Sequence, residues 1–220
     1  TATAGGIQAF LTVTVATGPS EVEVTPSTIA FASIGDTTSL AGVVLDAAGG
    51  ALTEFGVTFL GADTLIASVD SLTGVVTAIG AGSTTVTVTG DTVQTEVPVT
   101  VNQVTAMLVV TPAVATLLPG TQLTFTAAAE DANGNVIASP SVTWSSADVA
   151  VATITGTGTV TAVAAGVTTI LATSGAVADT VNLTVAVVTV GSVDVSPDSF
   201  SVAVSGTANV SAQFFDTLGT

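Results

Sequence analysis

Apolar and polar residues alternate along much of this chain with a period of two. Leu123, Phe125, Ala127 and Ala129 share one face of an extended segment, and Val181, Leu183 and Val185 share one face of another, with Thr180, Asn182 and Thr184 opposite. Successive side chains of a strand point to opposite sides, so this pattern predicts strands that cover a core on one face and meet water on the other. Thr, Val, Ala and Gly dominate the sequence while Met and the aromatics are sparse, which suits strands and tight turns better than helices. The expected fold class is all-β.

The pattern also repeats on a longer scale. Three segments open alike, "VEVTPSTIAFASIG", "LVVTPAVATLLPG" and "VDVSPDSFSVAVSG", and their prolines Pro26, Pro112 and Pro197 stand 86 and 85 residues apart. Such a period is too long for the common solenoid units and matches one small sandwich per repeat. The register holds inside the unit. Asp46, Asp131 and Asp216 begin "DAAGG", "DANGN" and "DTLGT", where Asp bonds back to the chain and Gly supplies positive φ. Phe59 matches Trp144, Gly74 matches Gly158 and Gly82 matches Gly166. Closing strands end at Val15, Val101 and Val185. Phe59 and Trp144 are then the largest core anchors of their domains, since an aromatic on an alternating strand packs between the sheets.

The run "VTWSSADVAVATITGTGTVTAVAAGVTTILAT", preceded by "VTPAVATLLPGTQLTFTAAAEDANGN", resembles the bacterial immunoglobulin-like domain of group 2, found in intimin- and invasin-like adhesins, other surface proteins and some phage virion proteins. The likeness covers nearly all of residues 103 to 190. It is looser over residues 19 to 102, where Phe59 replaces Trp and "LGAD" replaces "SSAD". The resemblance implies tandem immunoglobulin-like Greek-key β-sandwiches and brings no catalytic residues with it. The expected organisation is a C-terminal piece of a repeat at 1–18, complete repeats at 19–102 and 103–190, and the N-terminal strands of a further repeat at 191–220. Ends of this kind look cut from a longer array.

Charge narrows the function further. The 220 residues contain no Lys, Arg or His against 16 Asp and Glu, a formal charge of −16. Nothing can neutralise phosphates, which excludes nucleic-acid binding and basic-patch attachment to anionic lipid. Side-chain salt bridges are excluded too, so each carboxylate must be solvated, accept neutral hydrogen bonds or meet a cation. Mean hydropathy is high at +0.82, yet no apolar run approaches the ~18 residues of a spanning helix, and one Trp with no Tyr gives no aromatic girdle. Direct membrane insertion is not expected. Without Cys, neither disulfides nor thiolate metal sites can form.

The usual nucleophile and base pairs, Schiff bases, zinc sites and phosphate clamps are likewise unavailable, and the acids are scattered, so no enzyme is expected. No cofactor is required. Calcium is the one ion with candidate ligands: Glu130, Asp131, Asn133 and Asn135 in "EDANGN" present oxygens at calcium-loop spacing, without the downstream bidentate Glu of an EF-hand. The competing reading of the same residues is a hairpin turn with Asp131 as acceptor and Gly134 at positive φ. Glu21, Glu23, Asp194 and Asp198 near repeat starts are read as solvated edge acids. Asn182 in "NLT" and Asn209 in "NVS" are glycosylation sequons.

The expected function is a structural spacer or stalk repeat of an extracellular surface fibre, sheath or adhesin-like filament, at the cell surface or alternatively on a virion. Its partners would be neighbouring repeats of the same chain and copies of itself in a fibre. The alternative is a binding module, an adhesin or phage fibre domain recognising carbohydrate or a receptor through its end loops. Those loops read "GADT", "SLTG", "SSAD" and "TGTG" and are nearly free of aromatics, which favours the spacer.

Overall fold

Every regular element among the described residues is a strand, and no helix is long and apolar enough to cross a membrane. The computed structural model describes residues 2–4, 7–9, 18–187 and 189–216. The closing strand expected to end at Val15 and the turn after Asp216 lie outside these. The chain forms two compact units, one of Thr1–Met107 with Glu130–Ile137 and the other of Leu108–Ala129 with Ala138–Thr220.

The first unit begins with a short hairpin of β1 (Ala2–Ala4) and β2 (Ile7–Ala9). Its main body carries β3 (Pro19–Thr25), β4 (Ile29–Phe31), β5 (Thr37–Ser39), β6 (Ala41–Asp46), β7 (Thr58–Gly61), β8 (Ala67–Val69), β9 (Val75–Ala78), β10 (Gly82–Gly90) and β11 (Val93–Val101). One sheet runs β4-β11-β10-β7, and β3-β6 and β5-β9-β8 form the other layer. β3 and β4 are halves of one strand parted around Pro26, and β5 and β6 are halves parted at Leu40, so the nine segments make seven strands. Alternation explains the layers. Val86, Val88, Val97, Val99 and Val101 point inward and are buried, while Glu96, Pro98 and Thr100 between them are exposed. They meet Val22, Val44, Phe59 and Val76 in one apolar core.

The second unit repeats this arrangement with β12 (Met107–Thr111), β13 (Val114–Leu117), β14 (Gln122–Thr124), β15 (Thr126–Glu130), β16 (Thr143–Ser146), β17 (Ala152–Ile154), β18 (Thr159–Ala162), β19 (Gly166–Ser174) and β20 (Val177–Val185). Its sheets are β13-β20-β19-β16, β14-β18-β17 and β12-β15, strand for strand the order of the first. The face picked out by alternation is the buried one: Phe125, Ala129, Val181, Leu183 and Val185 are in the core, with Thr180, Asn182 and Thr184 exposed. A last hairpin pairs β21 (Val190–Ser196) with β22 (Ser211–Asp216), the counterpart of β3-β6 and β12-β15. The peptide bonds before Pro26, Pro112 and Pro197 are all cis.

Two glycines show why the period is so visible. Gly74 and Gly158 have φ of +69° and +84°, and a Cβ there would lie 2.5 Å from the carbonyl oxygen of Leu40 or Phe125 respectively. Each glycine also sits against the aromatic ring of its own repeat, Phe59 or Trp144. Positive φ and close backbone approach together exclude any side chain. The aromatic and the glycine therefore recur as a pair.

The expected burial of both rings is met at Phe59, which is 5% exposed, but Trp144 is only half-buried. The neighbouring residue explains the difference. Phe55 packs against the core of the first unit, and its counterpart 85 residues on is Pro140, a smaller side chain that leaves the indole partly open.

Candidate functional site

Among the described residues Asp131 is the most deeply buried acid, 3% exposed, in a chain without a single basic side chain. A carboxylate in that position must find neutral donors. The turn after β15 supplies the first of them: Gly134 has φ of +80°, which folds the chain back so that the amides of Asn133 and Asn135 donate to Asp131 Oδ1 at 3.0 and 2.9 Å. The Asp46 turn is built the same way, with Ala48 and Gly50 N–H donating to Asp46 Oδ1 at 2.8 Å each. The expected hairpin turn is thus observed in both repeats.

Asp131 also bonds beyond its own turn. Its Oδ2 accepts from the Ile34 amide at 2.9 Å and from Gln103 Nε2 at 3.0 Å. Asn135 Nδ2 adds a bond to Oδ1 at 3.2 Å. The two asparagines also donate outward. Asn133 Nδ2 and Asn135 Nδ2 each reach the Ile34 carbonyl oxygen at 2.9 Å, and Asn133 Nδ2 reaches Asp36 Oδ1 at 2.9 Å. Asp36 Oδ2 in turn accepts from the Ser33 amide at 3.1 Å. All of these residues lie in the first compact unit, which includes Glu130–Ile137.

Burial works to raise the Asp131 pKa, but the donors outweigh it. Gln103, the Asn135 and Ile34 amides and the Asn135 side chain stabilise the charged form and hold the carboxyl well below the usual carboxylate range. Asp70, in an exposed turn, is also lowered, by the Thr73 amide and hydroxyl and by the Leu72 amide.

Of the four calcium-ligand candidates, the fold brings Asp131, Asn133 and Asn135 onto one network. Both asparagines turn amide nitrogen toward the Ile34 carbonyl, and both Asp131 oxygens face N–H groups. Glu130 is half-buried, with its carbonyl accepting from the Ala106 amide. Among the described residues no group of three or more His, Cys, Asp or Glu is placed to share a metal. Calcium coordination calls for six to eight converging oxygens, so we expect a chelator to leave the melting temperature of the chain unchanged within about 2 °C. A fall of more than about 10 °C would show that a bound ion stabilises the fold.

Asn182 lies on the exposed face of β20, near Thr169 Oγ1, and Asn209 is exposed ahead of β22. Glu21 and Glu23 are exposed on β3, and Asp194 and Asp198 are exposed in and after β21. Sequence reasoning missed Gln103, Asp36 and the Ile34 peptide, because they sit 28 to 101 residues from their partners. The available signal was that Asn133 and Asn135 replace the Ala48 and Gly50 of the first repeat, polar residues a simple turn does not need.

Comparison with known proteins gives the family of the second repeat. Residues 104–185 match the model of the bacterial Ig-like domain (group 2). Ice-binding protein 1 of Shewanella frigidimarina (strain NCIMB 400) is 38% identical over 143 residues, 64% of this chain and 16% of that protein. The stretch therefore spans about a sixth of the curated relative's length. Among solved structures, domains 4 and 5 of the S-layer protein SbsC align at 25% identity and a TM-score of 0.38, covering 77% of this chain and 99% of that one. A C-terminal fragment of intimin, solved with the intimin-binding domain of its receptor, aligns at 19% identity and a TM-score of 0.39, covering 77% and 64%. The adhesin InvE of Yersinia pseudotuberculosis aligns at 16% identity and 0.38, covering 76% and 59%. Residues 104–185 are a bacterial Ig-like domain of group 2.

Proposed function

We propose that the chain is a structural spacer, a repeated module of an extracellular stalk, sheath or surface filament that holds another part of its protein away from the cell. The observation that supports this most is the pairing of the opening and closing strands in each sandwich. β4 lies parallel to β11, with Ile29 opposite Val99 and Phe31 opposite Val101. β13 lies parallel to β20, with Val114 opposite Asn182 and Leu117 opposite Val185. Tension entering at one end of such a sandwich and leaving at the other draws these parallel strands past each other lengthwise. Their hydrogen bonds are then loaded together, whereas a hairpin pulled open at its ends loses them one at a time.

The connection between β11 and β12 is also short and tied down. It is five residues, 102–106, and the Asn102 and Val104 amides bond to the Phe31 and Ala32 carbonyls at 3.0 and 2.9 Å. A segment matching 16% of a much longer relative is the relation expected of a spacer within a larger chain.

Single-molecule pulling tests this reading. Each sandwich is expected to unfold in one step releasing roughly 250 Å, from about 3.3–3.6 Å per extended residue. The rupture force should be several-fold higher with attachment at the ends of a repeat than with attachment across the β10–β11 hairpin. Equal forces in the two geometries would remove the mechanical argument.

A further inference from the structure

We infer that the second repeat carries a binding cleft for one pyranose ring of an uncharged glycan, with Trp144 as its aromatic wall. The cleft has a volume of about 360 Å³ and is lined by Trp144, Phe125, Pro140, Val142, Thr126 and Thr157 among others. That volume is at the lower end of the range for small-molecule sites, about 300–1,000 Å³.

Its origin lies in the difference between the two repeats. Where Phe55 packs against the first core, Pro140 stands in the second. The ring at position 144 is larger than the Phe59 it replaces but less covered, half-buried against 5% exposed. Phe125 and Gly158 hold it in place. The ring centroids of Phe125 and Trp144 are 6.5 Å apart at 30°, and Gly158 lies close against the indole, where an added Cβ would come within 3.2 Å of the ring. Among the described residues the indole N–H has no acceptor, and it is not sealed from water. An aromatic body with an unused donor at a wet edge is the arrangement that takes a ligand with an apolar face and a polar rim.

Charge selects the class of ligand. No Asp or Glu lines the cleft, and the chain has no cation anywhere. Uronates, sialates and phosphates would find no counter-ion and would meet a chain of charge −16. A protonated amine would find no carboxylate. The hydroxyls around the mouth belong to Thr124, Thr126 and Thr157, of which Thr124 and Thr157 already bond to Thr159 and Thr155 at 3.1 and 2.9 Å and remain able to accept or donate again. A pyranose supplies C–H groups for the indole face and hydroxyls for this rim.

The chain's single Trp and lack of Tyr make the test direct, because its intrinsic emission reports on Trp144. The full chain is titrated with cellohexaose, maltohexaose and mannohexaose, following emission and the amide and indole N–H signals by NMR. At least one sugar is expected to saturate with a millimolar dissociation constant, shifting the indole N–H and the amides of Thr126, Gly156 and Thr157. Pro140→Phe, which restores the residue of the first repeat, is expected to weaken binding at least tenfold without altering the rest of the spectrum. Absence of saturable shifts with all three sugars up to 20 mM would overturn the inference. So would binding unaffected by P140F, or preferential binding of oligogalacturonate or of a proline-rich peptide used as comparators. Any of these outcomes leaves the spacer reading where the pulling experiment puts it.

Discussion

Replacing Asp131 by alanine is expected to destabilise the first compact unit by about 2–3 kcal/mol, the range for hydrogen bonds to a charged acceptor and for donors left unpaired. The melting temperature of that unit should fall by about 10–20 °C. The residue lies in the second sequence period, yet its carboxylate is where the Ile34 amide and the Gln103 side chain end. Hydrogen exchange should place the loss: the Ile34 amide should lose its protection in the variant while Phe125, deep in the second unit, keeps its own. Asp131→Asn should be nearly as damaging, because one of the two oxygens that face N–H groups becomes a donor itself.

The same carboxylate sets a pH dependence with a definite sign. Its native pKa is held well below the usual range, so its stabilisation is complete above the unfolded value of about 3.9 and is lost as pH falls through the native one. The gap in melting temperature between the native chain and D131N should therefore be constant from pH 7 to about 5 and narrow below about pH 4. A gap that widens on acidification would contradict the network.

The second large effect is expected at Phe125. The side chain is 1% exposed at the centre of the second unit, so Phe125→Ala should cost about 3–5 kcal/mol through lost burial and the cavity left behind. Trp144→Ala should cost less, about 2–3 kcal/mol, since the indole is only partly buried. Denaturant unfolding of both variants measures the order. A larger loss at Trp144 than at Phe125 would mean that the indole, and not the phenyl ring, anchors the core.

These two sites show how far sequence alone reaches in this protein. The strands, their inward faces and the repeat could be read because each rests on local chemistry: alternation at Val181 and Leu183, Asp with Gly in the turns, and a glycine paired with an aromatic. Both repeats even reuse the same side-chain brace, with the Asp63 and Asp148 amides donating to Thr84 and Thr168 hydroxyls at 3.0 and 2.9 Å. What local pattern cannot show is which partner a polar residue has found. Asp131 looks like a turn acceptor or a calcium ligand in sequence, and its bonds to Ile34 and Gln103 depend on contacts made only in the folded chain. The exposure of Trp144 escaped for a similar reason, since alternation places a side chain on the inner face but does not say that Pro140 and Trp144 line an open cleft where Phe55 packs against a closed core.

The spacer reading stands on whether successive repeats extend. Strands of nine residues such as β10 and β11, at about 3.3 Å per residue, give ~30 Å, and turns bring each sandwich to about 40 Å. Small-angle X-ray scattering from residues 19–190 is the most direct measurement. A maximum dimension of about 80 Å is expected for two sandwiches in line, and lengthening in proportion when further repeats are added. A value near 50 Å, about that of a single compact globule of this mass, would contradict the account.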